Sequence, residues 1–296
     1  MDSTVIAQLH GASKRYGPVA ALSEVGLAVH RGEVLALLGP NGAGKTTAIA
    51  LLCGLRTADG GRAELFGMDP RQRAARSRLG VMLQSTDLPD ALTVAEQVRQ
   101  FSGYYPRPRA LEETLDLCGL SAQANRRYGQ LSGGQKRRVQ FALAVCGRPD
   151  LLIVDEPTTG LDIEARTAFW RVLRQLVGEG VGMLLTTHYL EEADALADRV
   201  VLLNGGRVVA EGTPDSIKQR AGCALVRCRT ALAPEDLSQW PQVQRVRGVG
   251  RRLELATTAP EQLLRALLAA DGALTDLEVQ RSSLDDAMLQ LTREAA

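Results

Sequence analysis

Val34-Leu-Ala-Leu-Leu-Gly39-Pro40-Asn41-Gly42-Ala43-Gly44-Lys45-Thr46-Thr47-Ala-Ile-Ala-Leu-Leu52 reads as an apolar run, a glycine-rich turn and a second apolar run. The turn fits G-x-x-x-x-G-K-[ST], and its flanks, a buried strand before and a helix after, are the setting that gives this pattern meaning. Glycines let successive backbone N–H groups turn inward around phosphate oxygens. The helix start adds its dipole to the same point. Lys45 places a compact positive charge on β and γ phosphates, and the Thr46 hydroxyl completes a Mg²⁺ shell. Gly39 through Thr47 are thus the candidate nucleotide-binding residues, with Lys45 a candidate catalytic group as well.

A second stretch, Leu151-Leu-Ile-Val-Asp155-Glu156-Pro157, is four apolar residues ending in two acids. Parallel sheets place ligand chemistry at the carboxyl ends of their strands. Asp155 there is a candidate Mg²⁺ ligand through water. Glu156 is the candidate general base, because alternation turns it to the other side of the strand end. Read alone, the pair is also an ordinary acidic strand end stopped by Pro157; beside the phosphate loop the catalytic reading is preferred.

Working outward, the chain has 296 residues, 45% of them apolar and 23% charged, with formal net charge +1. Such a composition excludes a disordered or collagen-like chain, and the balanced charge offers no field for nucleic acid. No apolar run approaches the roughly 18–20 residues of a membrane span, and the first residues do not resemble a signal peptide. A cytosolic protein is expected. Cys53, Cys118, Cys146, Cys223 and Cys228 form no Cys-x-x-Cys pair, so reduced, buried thiols are expected rather than a metal site.

Strands are expected at 4–9, 25–29, 34–38, 63–66, 79–83, 151–155, 182–186, 200–203 and 207–211. Helices are expected at 45–53, 93–104, 110–118, 133–145, 163–177 and 190–197. Alternation of the two predicts an α/β fold with a parallel sheet, interrupted by a helical insertion at about 93–145. After a turn at Gly212-Thr-Pro the pattern restarts. Residues 222–296 read as a second, small α+β domain of βαββαβ order with an extra helix, a ferredoxin-like pattern. The first domain is expected to span 1–220. Arginines 71, 73, 76 and 78, and those between 245 and 252, read as solvated helix faces.

Leu131-Ser132-Gly133-Gly134-Gln135 opens a helix and makes a second anion-binding start. That is redundant in a chain with a phosphate loop unless it serves another subunit's nucleotide. Here the sequence resembles the ATP-binding cassette family. Gly39–Thr46 resembles its Walker A motif, Leu131–Gln135 its signature and Leu151–Glu156 its Walker B motif. Tyr16 is similar to the aromatic that stacks on adenine, Gln84 to the Q-loop glutamine, Asp162 in Gly160-Leu-Asp to the D-loop, and His188 to the switch histidine. Taken individually, Tyr16 reads more readily as a packing residue, Gln84 as polar surface and His188 as a core histidine. Their order along residues 4–220 is the family's, without departure.

The resemblance implies a P-loop ATPase cassette with a parallel core sheet, an antiparallel β part and a helical insertion, using ATP and Mg²⁺. It implies Glu156, His188, Gln84 and Lys45 as catalytic groups, and Thr46, Gln84 and Asp155 around the metal. Tyr16, the Walker A residues, Asp162 and Ser132, Gly133, Gly134 and Gln135 would hold nucleotide. Two cassettes pair head to tail, as a homodimer or with a related cassette, and dock on integral membrane permease subunits at the cytoplasmic face. Residues 85–93 and the helical insertion are the expected docking surface. The end of the chain from Ser283 resembles cassettes of drug and antibiotic exporters. An importer cassette is the nearer alternative, but its ancillary domain is often a β-barrel. Ribosome-acting cassettes generally come as two per chain, and DNA-repair cassettes insert a long coiled coil where this chain has only 85 residues between Lys45 and Leu131.

Overall fold

The computed structural model describes residues 4–84, 87–220, 224–249, 252–280 and 283–294. They divide into two compact units, Met1–Thr213 and Pro214–Ala296. In chain order the first unit comprises β1 (Val5–Tyr16), β2 (Val19–His30), β3 (Val34–Leu38), α1 (Lys45–Leu52), β4 (Gly60–Leu65), α2 (Arg73–Arg76), β5 (Leu79–Met82), α3 (Val94–Ser102), α4 (Leu111–Leu117), α5 (Gly133–Val145), β6 (Leu151–Asp155), α6 (Ile163–Gly178), β7 (Gly182–Thr186), α7 (Leu190–Leu196), β8 (Arg199–Asn204) and β9 (Arg207–Gly212).

The central sheet runs β5-β6-β7-β3-β8-β9, parallel except for the β8–β9 hairpin. β3 and β7 are buried along their whole length, as expected of parallel strands covered on both faces. Alternation sorts their side chains. Leu35, Leu37, Ile153 and Leu184 join one core cluster with β1, β2 and α1. Val34, Leu152, Val154 and Leu185 join the other, with Val98, Leu115, Phe141 and Leu173 from α3 to α6. The α/β cassette fold expected from sequence is therefore present, with its antiparallel sheet β2-β1-β4.

Three local differences from expectation have physical causes. Residues 4–9 and 25–29 are parts of a much longer hairpin, β1 and β2, whose period-two pattern is interrupted by register shifts between Leu9 and Lys14. The arginines at 71–78 are not one solvated helix face, because Arg78 lies beyond α2, stacks 3.9 Å from the Phe66 ring centroid and pairs with Asp150 at 2.7 Å. Arg245 and Arg252 lie on strands, and Arg252 pairs with Asp276 and Glu278.

The second unit comprises α8 (Pro214–Arg220), β10 (Ala224–Arg229), α9 (Pro234–Ser238), β11 (Arg245–Val249), β12 (Arg252–Thr257), α10 (Pro260–Ala270), β13 (Thr275–Gln280) and α11 (Leu284–Glu294). Its antiparallel sheet runs β11-β12-β10-β13, the strand order of a split βαβ arrangement. Val226, Cys228, Leu237, Leu255, Leu263 and Leu267 form its core. The helix α8 packs on α11, which puts it in this unit rather than with residues 1–213.

Cys53, Cys118, Cys146 and Cys228 are buried free thiols, and burial pushes Cys53 and Cys118 up to about 12. Cys223, and Ser85 and Thr86 of the expected docking segment, lie outside the described residues.

Candidate nucleotide site

The candidate groups come together because four adjacent parallel strands end side by side. β5 leads to Gln84, β6 ends in Asp155 and Glu156, β7 leads to His188, and β3 leads to Gly39–Thr46. With strands about 4.8 Å apart, four strand ends fall within roughly 15 Å.

After β3 the backbone turns through positive φ at Gly39 (147°), Gly42 (80°) and Gly44 (107°). A Cβ on Gly39 would lie 2.2 Å from the Leu203 oxygen, and one on Gly44 would lie 2.5 Å from the Ala21 oxygen. Those two glycines are required by space as well as by φ. Pro40, Asn41, Gly42 and Thr46 are exposed, and Thr47 is half-buried. Lys45 folds over the loop and donates to the Gly39 oxygen at 2.6 Å and the Pro40 oxygen at 3.1 Å. Burial lowers the Lys45 pKa from its ordinary value, and the Glu156 and Asp155 carboxylates oppose that shift.

Glu156 is the hub. Gln84 Nε2 donates to its Oε2 at 2.7 Å, and His188 Nε2 lies 2.5 Å from its Oε1. Its backbone is left-handed at φ 49°, and its N–H donates to the Thr186 oxygen at 2.9 Å. The Thr186 hydroxyl donates to Asp155 Oδ1. The carboxylate of Glu156 therefore sits between an amide donor and an imidazole, a place from which it can take a proton from water.

Other candidates make contacts elsewhere. Tyr16 ends β1, is exposed, and has the Lys14 ammonium 5.9 Å from its ring centroid. Ser132 and Gln135 bond each other in a capping box at the start of α5, which leaves Ser132 and Gly133 exposed. Asp162 caps α6, accepting from the Ala165 N–H at 2.7 Å.

A family profile described as ABC transporter matches residues 22–159. Nod factor export ATP-binding protein I of Cupriavidus pinatubonensis (strain JMP 134 / LMG 1197) is 39% identical over 298 residues, covering 98% of this chain and 91% of that protein. The protein of the same name from Rhizobium sp. (strain N33) is 38% identical, covering 98% of both. The chain belongs to the ABC transporter family. A solved ATP-binding subunit of an ABC transporter superposes with a TM-score of 0.68 at 31% identity, covering 73% of this chain and 93% of that one. A dimeric bacterial ABC transporter cassette gives 0.64 at 25% identity, covering 70% and 98%. The chain is thus an ATPase subunit of this family, and its cited relatives carry names of exporters.

Two contributors to this cassette's site were missed in the sequence. Thr186 carries no motif of its own. Arg137 does carry a signal: it occupies an apolar-face position of α5, four residues before the buried Phe141, and is itself only 7% exposed. A basic residue on the buried stripe of a helix needs acceptors, and those acceptors turn out to belong to the site.

Proposed function

We propose that this cassette hydrolyses ATP with Mg²⁺, as one of a head-to-tail pair, to drive export through separate membrane permease subunits. The observation that carries this is the convergence of Gln84 and His188 on the Glu156 carboxylate at the ends of three neighbouring strands. In this reading Glu156 accepts the proton of the attacking water, His188 and Gln84 orient that carboxylate, and Lys45 exchanges its loop carbonyls for β and γ phosphate oxygens.

The residues present suit Mg²⁺. Thr46, Asp155 and the Gln84 amide oxygen are hard oxygen donors, and Asp155 has one oxygen beyond that taken by Thr186. Among the described residues no group of three or more His, Cys, Asp or Glu side chains could hold a metal. Mg²⁺ needs no such cluster, since it usually takes one or two protein ligands with phosphate and water. When bound, it would neutralise charge on the transferred phosphoryl group.

Ser132–Gln135 and Asp162 would meet the partner's nucleotide, which their place at helix starts, with Ser132, Gly133 and Asp162 exposed, supports. Tyr16 would stack on adenine. No helix among the described residues is long and apolar enough to cross a membrane. Export, rather than import, is supported by the relatives named for Nod factor export. Docking at the cytoplasmic membrane face through the described part of the expected segment, residues 87–93, and the helical insertion at about 93–145 completes the reading.

Steady-state phosphate release by the purified chain tests it, with Glu156→Gln beside wild type. General-base loss is expected to slow turnover by about 10²–10⁴-fold with nucleotide affinity kept. A wild-type chain without Mg·ATPase activity, or a variant as fast as wild type, overturns the proposal. Copurification of a polytopic membrane protein from detergent-solubilised membranes tests the coupling to a permease.

A further inference from the structure

We propose that Arg137 is a positioning residue for hydrolysis: one buried guanidinium that holds the main chain of Glu156 and of Gln84 in register with the signature helix α5. This rests on Glu156 being the general base.

The guanidinium is spent almost entirely on backbone oxygens. Nη1 donates to the Leu83 oxygen at 2.9 Å and the Gln84 oxygen at 3.0 Å, Nε to the Pro157 oxygen at 3.1 Å, and Nη2 to the Asp155 oxygen at 2.8 Å and to the Glu156 oxygen. Gln140, three residues further along α5, accepts from Nη1 at 2.9 Å and orients the fork. Five carbonyls at or just past the ends of β5 and β6, from the separate segments 83–84 and 155–157, thus meet on a single side chain. Those segments carry the two groups, Gln84 and Glu156, whose side chains bond each other.

The arrangement answers a problem posed by Glu156. A non-glycine residue in the left-handed region is strained and persists only where its surroundings over-determine it. Glu156 has φ 49°, with its N–H held by the Thr186 oxygen and its C=O held by Arg137. Removing the guanidinium frees one end of that peptide. The carboxylate then loses its fixed aim, although none of its own contacts has been changed. Lysine cannot substitute, since an ammonium has three donors at one point, whereas these five acceptors are spread over all three nitrogens of the guanidinium.

Arg137 lies four residues from Gly133, the first residue of α5. The start of that helix is the part expected to touch the partner's nucleotide. A shift of α5 is therefore passed to Gln84 and Glu156 through rigid hydrogen bonds rather than through a loop.

The test uses the full chain with Arg137→Lys and Arg137→Met, each alone and combined with Glu156→Gln. Turnover is normalised to folded protein by circular dichroism, and affinity is read with a fluorescent ATP analogue in Mg²⁺. Both single variants should lose about 10²-fold in kcat, the size of effect that a misplacement near 1 Å produces, with nucleotide affinity within experimental spread of wild type. Combined with Glu156→Gln, neither should cost further activity, because the residue acts through that carboxylate. Wild-type kcat per folded molecule in either single variant overturns the proposal, as does a full multiplicative loss in the double variants. If Glu156→Gln alone turns over at the wild-type rate, the general-base reading fails instead, so the two failures are distinguishable.

Discussion

Lys45 is one of only four lysines in a chain with 31 arginines, and its geometry explains why a point charge is used there. It reaches back over the loop that it closes, to the oxygens of Gly39 and Pro40, and can exchange both for phosphate oxygens without moving the helix. Charge-assisted hydrogen bonds contribute about 1.5–3 kcal/mol each. Lys45→Ala should therefore weaken Mg·ATP binding by roughly 10- to 100-fold or more while leaving thermal unfolding almost unchanged. A fluorescent-nucleotide titration checks it, and unchanged affinity would remove the phosphate loop from the site. The identities of Lys45, Asp155 and Glu156 were legible in sequence because short local patterns place Lys45 at the helix start after a glycine-rich loop and the two acids at a strand end. Arg137 was not singled out, since its significance depends on carbonyls from segments about 20 and 54 residues away.

Among elements, the loop between β3 and α1 separates two kinds of glycine. Gly44 has φ 107° and no room for a Cβ beside Ala21, whereas Gly42 has φ 80° and nothing within 4 Å. Gly44→Ala should lower Tm and abolish nucleotide binding, and Gly42→Ala should do so less, since it meets only the backbone preference. Equal effects in thermal melts would contradict the steric argument. At the opposite end of β6, Asp150 accepts from Arg31 at 2.7 Å and from Arg78 at 2.7 Å. Burial raises its pKa, but the two guanidinium hydrogen bonds outweigh this and leave it below 3.8. A carboxylate lowered on folding lends stability above its unfolded pKa and loses it as pH falls through the folded value. Melts of wild type should decline on acidification below pH 3.8. Asp150→Asn should melt lower at pH 7 and show a shallower acid decline; an unchanged acid slope would count against the pair. The full extent of β1 and β2 could not be read from the sequence, because bulges near Ala12 and a left-handed Gly11 break the alternation that announces a strand.

At the scale of the whole molecule, every nucleotide motif lies in the unit that ends at Thr213. Residues 1–213 should fold and bind ATP alone, as judged by a cooperative melt and nucleotide titration; an insoluble fragment would place the boundary elsewhere. Full-length Glu156→Gln should run as a dimer in Mg·ATP by light scattering, and adding Ser132→Arg should restore the monomer. The Ser132 cap is worth only about 1 kcal/mol, so the double variant should stay folded. A monomeric Glu156→Gln chain at saturating ATP would refute head-to-tail pairing. By itself the sequence determined the α/β class, the strand–loop–helix proposed here to hold phosphate, the acids at a strand end and the family order of motifs. Each of these is local, written in apolar runs and in residues with special backbone or charge. The tertiary structure alone decided that β5, β6, β7 and β3 lie side by side, which brings Gln84, Glu156 and His188 into contact across 104 positions of sequence. It also decided that a buried arginine of α5 ties two of those strand ends together. Strand order and long-range hydrogen bonds follow from how whole faces pack, and no short pattern encodes them.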